Sequence, residues 1–286
     1  MSNEVTGWGG NRFAQLQSEP IFVVGAPRSG TTWVSEILGA HPQVARVFES
    51  WLFTEHDGLG KLFGRAHYPP GYSGLGRLLP RESLVVCVRQ FAEQVMSHAL
   101  TPAHRFLVEK SPSHLFAIPL IREVFPEARF VHVLRDGRDV CVSVLAAASS
   151  WMPAWRDSFG ASVEAAAQMW HDAVRWAQRE QREVGNGRFL EVRYEWLRQE
   201  PDNWLRQLFD FCHIPYDENL LADIQEQTRF ENKYRPRETG FRRRAQIGGW
   251  RERWGVREKQ QFHQVAGELL LELGYENDAY WWQRER

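Results

Sequence analysis

What most restricts how this chain can fold is residues 21–40, where an unbroken apolar run, a glycine-bounded loop and an amphipathic segment follow one another directly. Ile21, Phe22, Val23 and Val24 show no polar alternation. Such a run fits a strand buried on both faces, as in a parallel sheet. Gly25 ends it, and over residues 31–40 Trp33, Val34, Ile37 and Leu38 recur on one helical face. The intervening Gly25-Ala26-Pro27-Arg28-Ser29-Gly30 leaves a strand and opens a helix. That context supplies free backbone N–H groups and the positive end of a helix dipole. The two glycines allow a tight turn around an anion. Ser29, Thr31 and Thr32 add hydroxyl donors, and Arg28 adds a forked cation.

The spacing nearly fits the triphosphate loop G-x-x-x-x-G-K-[ST]. Thr31, however, stands where the lysine belongs, and the cation Arg28 precedes Gly30. A nucleoside-triphosphate enzyme sets that lysine against the β- and γ-phosphates. An ATP-dependent small-molecule kinase with a modified loop is therefore a second reading, and a nucleotide-binding protein without catalysis a third.

With a formal net charge of −1, no global field recruits nucleic acid or an anionic membrane, so any anion site must be built locally. Hydrophobic residues at 43% and charged residues at 25% exclude a disordered chain, and 286 residues suit one large α/β domain. Cys87, Cys141 and Cys212 are too few and too scattered for a disulfide framework or a zinc pattern. Residues 1–19 lack the basic-then-apolar order of a secretory leader and are expected to be flexible. The apolar runs at 21–24 and 84–88 are too short to span a bilayer. A reduced, cytoplasmic setting without a membrane partner is expected.

Further strands are expected at 105–108, 129–134 and 188–194, and helices at 139–148, 162–184, 203–212 and 257–273. Strands alternating with helices predict a three-layer α/β fold: a mostly parallel central sheet flanked by helices, P-loop-like, as one domain over residues 1–286. Ligands in such sheets sit beyond the strand C-termini. The aromatic, Gly- and Pro-rich stretch 50–104 reads as an acceptor-side insertion over the sheet.

A second anion site is expected where the strand at 129–134 ends. Arg135 lies just past it, and Ser143 follows on the next helix, which Asp136 or Asp139 can cap. A turn of loop and about two of helix could bring Arg135 and Ser143 to one anion.

At this point the sequence resembles the PAPS-dependent sulfotransferase family (PAPS is 3′-phosphoadenosine 5′-phosphosulfate), closest to its Golgi-type, tyrosylprotein-like and bacterial branches. Residues 27–33 match the family's P-[KR]-S-G-T-T-W. The resemblance implies that Arg28, Ser29, Gly30, Thr31 and Thr32 hold the 5′-phosphosulfate and that Trp33 stacks on adenine. Arg135 and Ser143 match the family's 3′-phosphate pair. Residues 189–197 look like its strand ending in V-x-Y-E-x-L, which puts Tyr194 near the adenine; a buried structural tyrosine is the other reading. Residues 241–250 resemble its R-K-G-x-x-G-x-W segment, implying that Arg243, Arg244 and Ala245 close over the 3′-phosphate. Ala245 replaces a glycine there, so the backbone is expected to approach less closely.

The implied chemistry is in-line transfer of a sulfuryl group to an acceptor hydroxyl, releasing 3′,5′-ADP, with no metal expected. Positive charge on Lys110, in Glu109-Lys110-Ser111-Pro112, and on Arg28 would stabilise the developing anion. Two residues compete for the base. Glu49 matches the glutamate of the Golgi branch. His114 lies near the position of the histidine used by the cytosolic aryl and steroid branch, but two residues further from its lysine. Glu49 ranks first. The acceptor is expected to be a small molecule or glycan, met by an aromatic wall from Trp51, Phe53, Phe63, Tyr68, Tyr72, Trp151 and Trp155, or else these aromatics are packing. A homodimer is common in the family.

Overall fold

The structure is a computed structural model, and residues 16–66, 78–229 and 246–284 are described. Five strands, β1 (Ile21–Gly25), β2 (Val44–Phe48), β3 (Phe106–Lys110), β4 (Arg129–Leu134) and β5 (Phe189–Arg193), form one sheet in the order β2-β3-β1-β4-β5. Every pairing is parallel. The apolar run of β1 is its centre: Phe22, Val23 and Val24 have no exposed surface.

Helices cover both faces, because alternate strand residues are apolar towards each side. Ile21, Val23, Val108, Val131 and Val133 pack on α1 (Thr31–Gly39) and on the helices that follow β5, α7 (Tyr194–Gln199), α8 (Pro201–Phe211) and α9 (Glu218–Thr228). Phe22, Val24, Leu107, Phe130 and Leu134 face a larger layer. It holds α3 (Arg81–Ser97), α4 (Ile118–Val124), α5 (Gly137–Ala148), α6 (Val163–Val184) and α10 (Val256–Glu272). The predicted three-layer, parallel α/β fold is what is found. A short helix, α2 (Gly60–Ala66), precedes α3.

Two departures from the sequence reading matter. The stretch expected to lie over the sheet contains α3, whose Leu84, Val88, Ala92 and Met96 sit at four-residue spacing and belong to the main core. That part of 50–104 is framework. The strand expected at 105–108 runs on to Lys110, pairing Phe48 with Lys110 and Val23 with Lys110. An unexpected edge strand, β2, therefore ends beside a lysine.

Across the sheet, the C-terminal ends of β2, β3, β1 and β4 deliver, in order, Glu49, Lys110, residues 25–30 and Arg135. The chain goes from β3 past β1 to β4, so the loops of β1 and β4 diverge at a topological switch point.

Candidate active site

The loop after β1 turns back on itself through the Ser29 N–H, which donates to the Ala26 carbonyl at 3.1 Å. Gly30 caps α1 in the left-handed region at φ 106°, and Arg28 lies there too, at φ 72°. A Cβ at Gly30 would meet Tyr194 Cδ2 at 2.6 Å, so only glycine fits over that ring. Tyr194, 1% exposed, underlies both anion loops: the Arg135 guanidinium lies 4.4 Å from its ring centroid. Its observed position is thus a packed support. Trp33, 7% exposed, packs edge-on to Tyr194, and its indole N–H donates to the Thr228 carbonyl at 2.9 Å.

The two expected anion sites meet. Arg28 Nε donates to Ser143 Oγ at 3.0 Å, and Arg135 Nη1 approaches the Arg28 carbonyl at 3.4 Å. The Arg28 guanidinium is drawn below its usual range by burial and then by the like charge of Arg135, with Glu49 pulling it back. Arg135 has Asp139 at 3.9 Å. Ser29 Oγ and Arg135 Nε are buried without a hydrogen-bond partner. Buried polar groups are rarely left so, and both belong to residues matching an anion-binding motif. Unsatisfied donors and paired cations at a helix N-terminus fit a bound phosphate group.

The Arg135 loop is fixed from behind. Trp170 Nε1 donates to the Arg135 carbonyl at 3.0 Å, and Glu195 accepts the Asp136 N–H at 2.9 Å. Asp136 caps α5 by accepting the Arg138 N–H, as expected of it or Asp139. Asp139 instead takes the N–H groups of Gly248 and Trp250 at 2.8 and 3.0 Å, docking the C-terminal segment beside Arg135. Gln246 accepts from Arg135 Nη2 through its carbonyl at 3.2 Å. Burial raises the Asp139 carboxyl, Arg135 opposing it. The fully buried Arg138, bound to Asp136 and Glu276 and lying over Trp250 at 4.0 Å, is a part of this brace that the motifs did not single out. Arg243, Arg244 and Ala245 lie outside the described residues, as do Tyr68 and Tyr72.

Glu49 and Lys110 are partners. Lys110 Nζ donates to Glu49 Oε1 at 2.5 Å, and the Glu49 N–H donates to the Lys110 carbonyl at 2.7 Å. The Lys110 side chain is wholly buried while that of Glu49 is 34% exposed, and the Phe48 ring centroid lies 3.7 Å from Nζ. Burial pulls the Lys110 ammonium down and Glu49 pulls it up; the net direction is down. Glu49 and Trp51 are left-handed, at φ 48° and 51°. Of the four non-glycine residues with positive φ among the described residues, three, Arg28, Glu49 and Trp51, therefore lie at this site. Backbone strain of this kind clusters at functional sites.

His114 is placed differently. It has no exposed surface, its Nδ1 is 2.7 Å from Glu109 Oε2, and its Nε2 accepts the Phe53 N–H at 3.1 Å. Both ring nitrogens are occupied, so no lone pair remains for an acceptor proton. Among the expected acceptor aromatics, Phe53 and Phe63 are core residues and Trp155 packs against the core. Trp51 is 48% exposed beside Glu49, and Trp151 has the Arg28 guanidinium 5.4 Å from its ring. Among the described residues no three His, Cys, Asp or Glu side chains converge as metal ligands, and no helix is long and apolar enough to cross a membrane.

Known proteins resemble this chain in sequence and in fold. A protein-tyrosine sulfotransferase of Drosophila melanogaster is 28% identical over 205 residues, 70% of this chain and 39% of the relative. The nodulation protein NoeE of Sinorhizobium fredii is 26% identical over 284 residues, 89% of this chain and 65% of the relative. The chain thus spans less than two thirds of the length of these relatives. Among solved structures, mouse sulfotransferase SULT7A1 complexed with PAP superposes with a TM-score of 0.58 at 14% identity, covering 90% of this chain and 85% of that one. The sulfotransferase domain of the Synechococcus PCC 7002 olefin synthase gives 0.53 at 21% identity, covering 92% and 98%. These likenesses show the fold. The model of the sulfotransferase family matches residues 20–218, so the chain belongs to the sulfotransferase family.

Proposed function

We propose that the chain binds PAPS across the loops of β1 and β4 and transfers its sulfuryl group to an acceptor hydroxyl. The observation that carries this reading is the convergence of Arg28, Ser143 and Arg135 from three separate elements, with the Ser29 hydroxyl and Arg135 Nε buried and unsatisfied beside them. Ser29, Gly30, Thr31 and Thr32 would hold the 5′-phosphate end, and Arg135 with Ser143 the 3′-phosphate. Trp33 would lie on the nucleotide side with Tyr194 packed beneath as support, and Arg243, Arg244 and Ala245 would close the site. Bound PAPS supplies an activated sulfuryl group on a phosphate leaving group.

The chain's own residues supply the rest. Glu49 is the base: its carboxylate is partly exposed, adjoins the transfer cation and can take the acceptor proton at Oε2 while Oε1 holds Lys110. Lys110 and Arg28 place positive charge where the leaving oxygen becomes anionic. The Phe48 ring and the surrounding core keep water from Lys110 Nζ, which strengthens the pull of its ammonium form on a nearby anion. Exposed Trp51, next to Glu49, and half-buried Trp151, beside Arg28, favour a small-molecule or glycan hydroxyl as acceptor. A cytoplasmic setting, a homodimer and an acceptor-side role for the rest of 50–104 complete the reading.

Thermal-shift screening with 3′,5′-ADP, ATP, AMP and NADPH, each with and without Mg²⁺, tests it. Stabilisation should follow ligand excess over Kd for 3′,5′-ADP alone and be indifferent to metal. Preference for Mg-ATP would favour the kinase reading instead.

A further inference from the structure

Glu109 and His114 form a buried pair that the proposed transfer does not use. Alternation along β3 puts Glu109 on the opposite face of the sheet from Lys110. There His114 lies edge-on to Phe22 and Phe53, with ring centroids 5.9 and 5.6 Å away. A carboxylate buried in such surroundings is costly unless its hydrogen bonds are made, so its use must lie in what it holds.

It holds the segment after Glu49. The Ser50 N–H ends on Glu109 Oε1 at 3.2 Å, and the Trp51 N–H on Ser111 Oγ at 3.2 Å. The Leu52 N–H ends on Ser50 Oγ at 3.3 Å, and the Phe53 N–H on His114 Nε2 at 3.1 Å. The Ser50 and Ser111 hydroxyls themselves donate to Glu109 Oε1, at 2.8 and 2.6 Å. Four successive amides thus depend on one carboxylate–hydroxyl–imidazole cluster, and they run through the left-handed turn at Glu49 and Trp51. The Phe53 N–H requires a lone pair on Nε2, which puts the ring proton on Nδ1, facing Glu109. Burial opposes ionisation of Glu109, but His114, Ser111 and Ser50 outweigh it and keep the carboxyl below its usual range.

We propose that Glu109, Ser111 and His114 are positioning residues: a clamp that fixes the turn at residues 49–53 and thereby aims the Glu49 carboxylate at Lys110 and the acceptor. This rests on Glu49 being the base. The clamp acts through Glu49 alone, so it governs the transfer rate and not nucleotide affinity.

Glu109→Gln is the test. The glutamine keeps an oxygen for Ser50 and Ser111 but presents an amide donor to His114. The imidazole then carries its proton on Nε2, against the Phe53 N–H. Single-turnover transfer from labelled PAPS is measured with the fastest acceptor among 2-naphthol, p-nitrobenzyl alcohol and an N-acetylglucosamine trimer. The expected loss is on the order of 10²-fold, the effect of a misplacement near 1 Å. The Kd for 3′,5′-ADP should stay within about twofold, because P-loop contacts are untouched. Ser111→Ala, which removes the acceptor of the Trp51 N–H and one hydroxyl donor to Glu109 but leaves His114 and its Phe53 bond in place, should slow transfer about tenfold in the same manner and decides the matter if Glu109→Gln does not fold. Wild-type transfer rates in the folded variants overturn the clamp. So does a loss of 3′,5′-ADP affinity in step with the rate, which marks general support of the pocket. Glu49→Gln is run in parallel. If it transfers normally, the base assignment falls and the clamp with it; if it is inactive while the other two are normal, only the clamp falls.

Discussion

Replacing Gly30 by alanine tests whether Tyr194 sets the shape of the first anion loop. The added Cβ would lie 2.6 Å from Tyr194 Cδ2 and 3.1 Å from Cε2. Carbon atoms rest at about 3.5–4.0 Å, so ring or loop must move by roughly 1 Å. The ring is confined: it is 1% exposed, with the Arg135 guanidinium 4.4 Å over it and Trp33 edge-on at 5.6 Å. A side chain in the left-handed region costs about 1–2 kcal/mol, and overpacking a buried contact adds about 1–3 kcal/mol. The total, about 2–5 kcal/mol, is shared between fold stability and the loop's fitness for an anion. If about 1.4 kcal/mol falls on the loop, the affinity for 3′,5′-ADP drops about tenfold. Gly274→Ala is the control: its φ is also positive, at 74°, in the turn that ends α10, but nothing lies within 4 Å of the new Cβ. It should lose only the backbone contribution and bind 3′,5′-ADP normally. Urea unfolding and calorimetric titration read both quantities. A Gly30→Ala protein no less stable than Gly274→Ala, with unchanged affinity, would show that Tyr194 yields and does not shape the loop.

Asp139→Ala should cost at least about 2 kcal/mol in urea unfolding, because it orphans the Gly248 and Trp250 amides together. It should also raise hydrogen exchange across residues 246–250. Lys110→Ala and Arg28→Ala should each slow single-turnover transfer on the order of 10²–10³-fold; near-normal rates in both would remove them from the chemistry. Burial lowers the Lys110 pKa despite Glu49. The ammonium therefore loses its proton at a lower pH than a free lysine, and the alkaline limb of the transfer rate should fall below pH 10.5, the usual lysine value. The same shift makes stability fall as pH drops from the unfolded lysine's value towards the folded one, and a limb at or above the usual value would contradict it. Cys87 is exposed while Cys141 and Cys212 are buried, with thiols pushed up by burial. A disulfide-exchange reagent should count one thiol in the native protein and three after denaturation, and a second fast native thiol would contradict the packing.

The legible parts of this fold are those in which local chemistry has a single structural use. The run ending in Gly25 can only be a buried strand, and β4 at Arg129–Leu134 falls where its apolar residues place it. β2 escaped because Val44–Phe48 is a five-residue edge strand with polar Arg46 in its middle and a half-exposed Phe48 at its end. Glu109 and Lys110 look like loop residues, yet they are buried strand residues, because tertiary partners compensate both charges. α3 carried a four-residue apolar repeat, hidden by the Gly- and Pro-rich segment before it. The left-handed turns at Arg28 and Glu49 have no local signal at all, since contacts distant in sequence hold them.

Motifs identified most of the candidate site residues, but strand order decides which of them can act together. Glu49 and Lys110 are 61 positions apart and touch only because β3 inserts between β2 and β1. The same insertion puts Glu109 beneath the turn that carries Glu49, and it leaves His114 no outlet to the cleft. A histidine near a lysine in sequence invites the role of base. Alternation along β3 instead turns Lys110 to Glu49 on one face and Glu109 to the buried His114 on the other, which is why the proposed base is the glutamate and the histidine is proposed as its support.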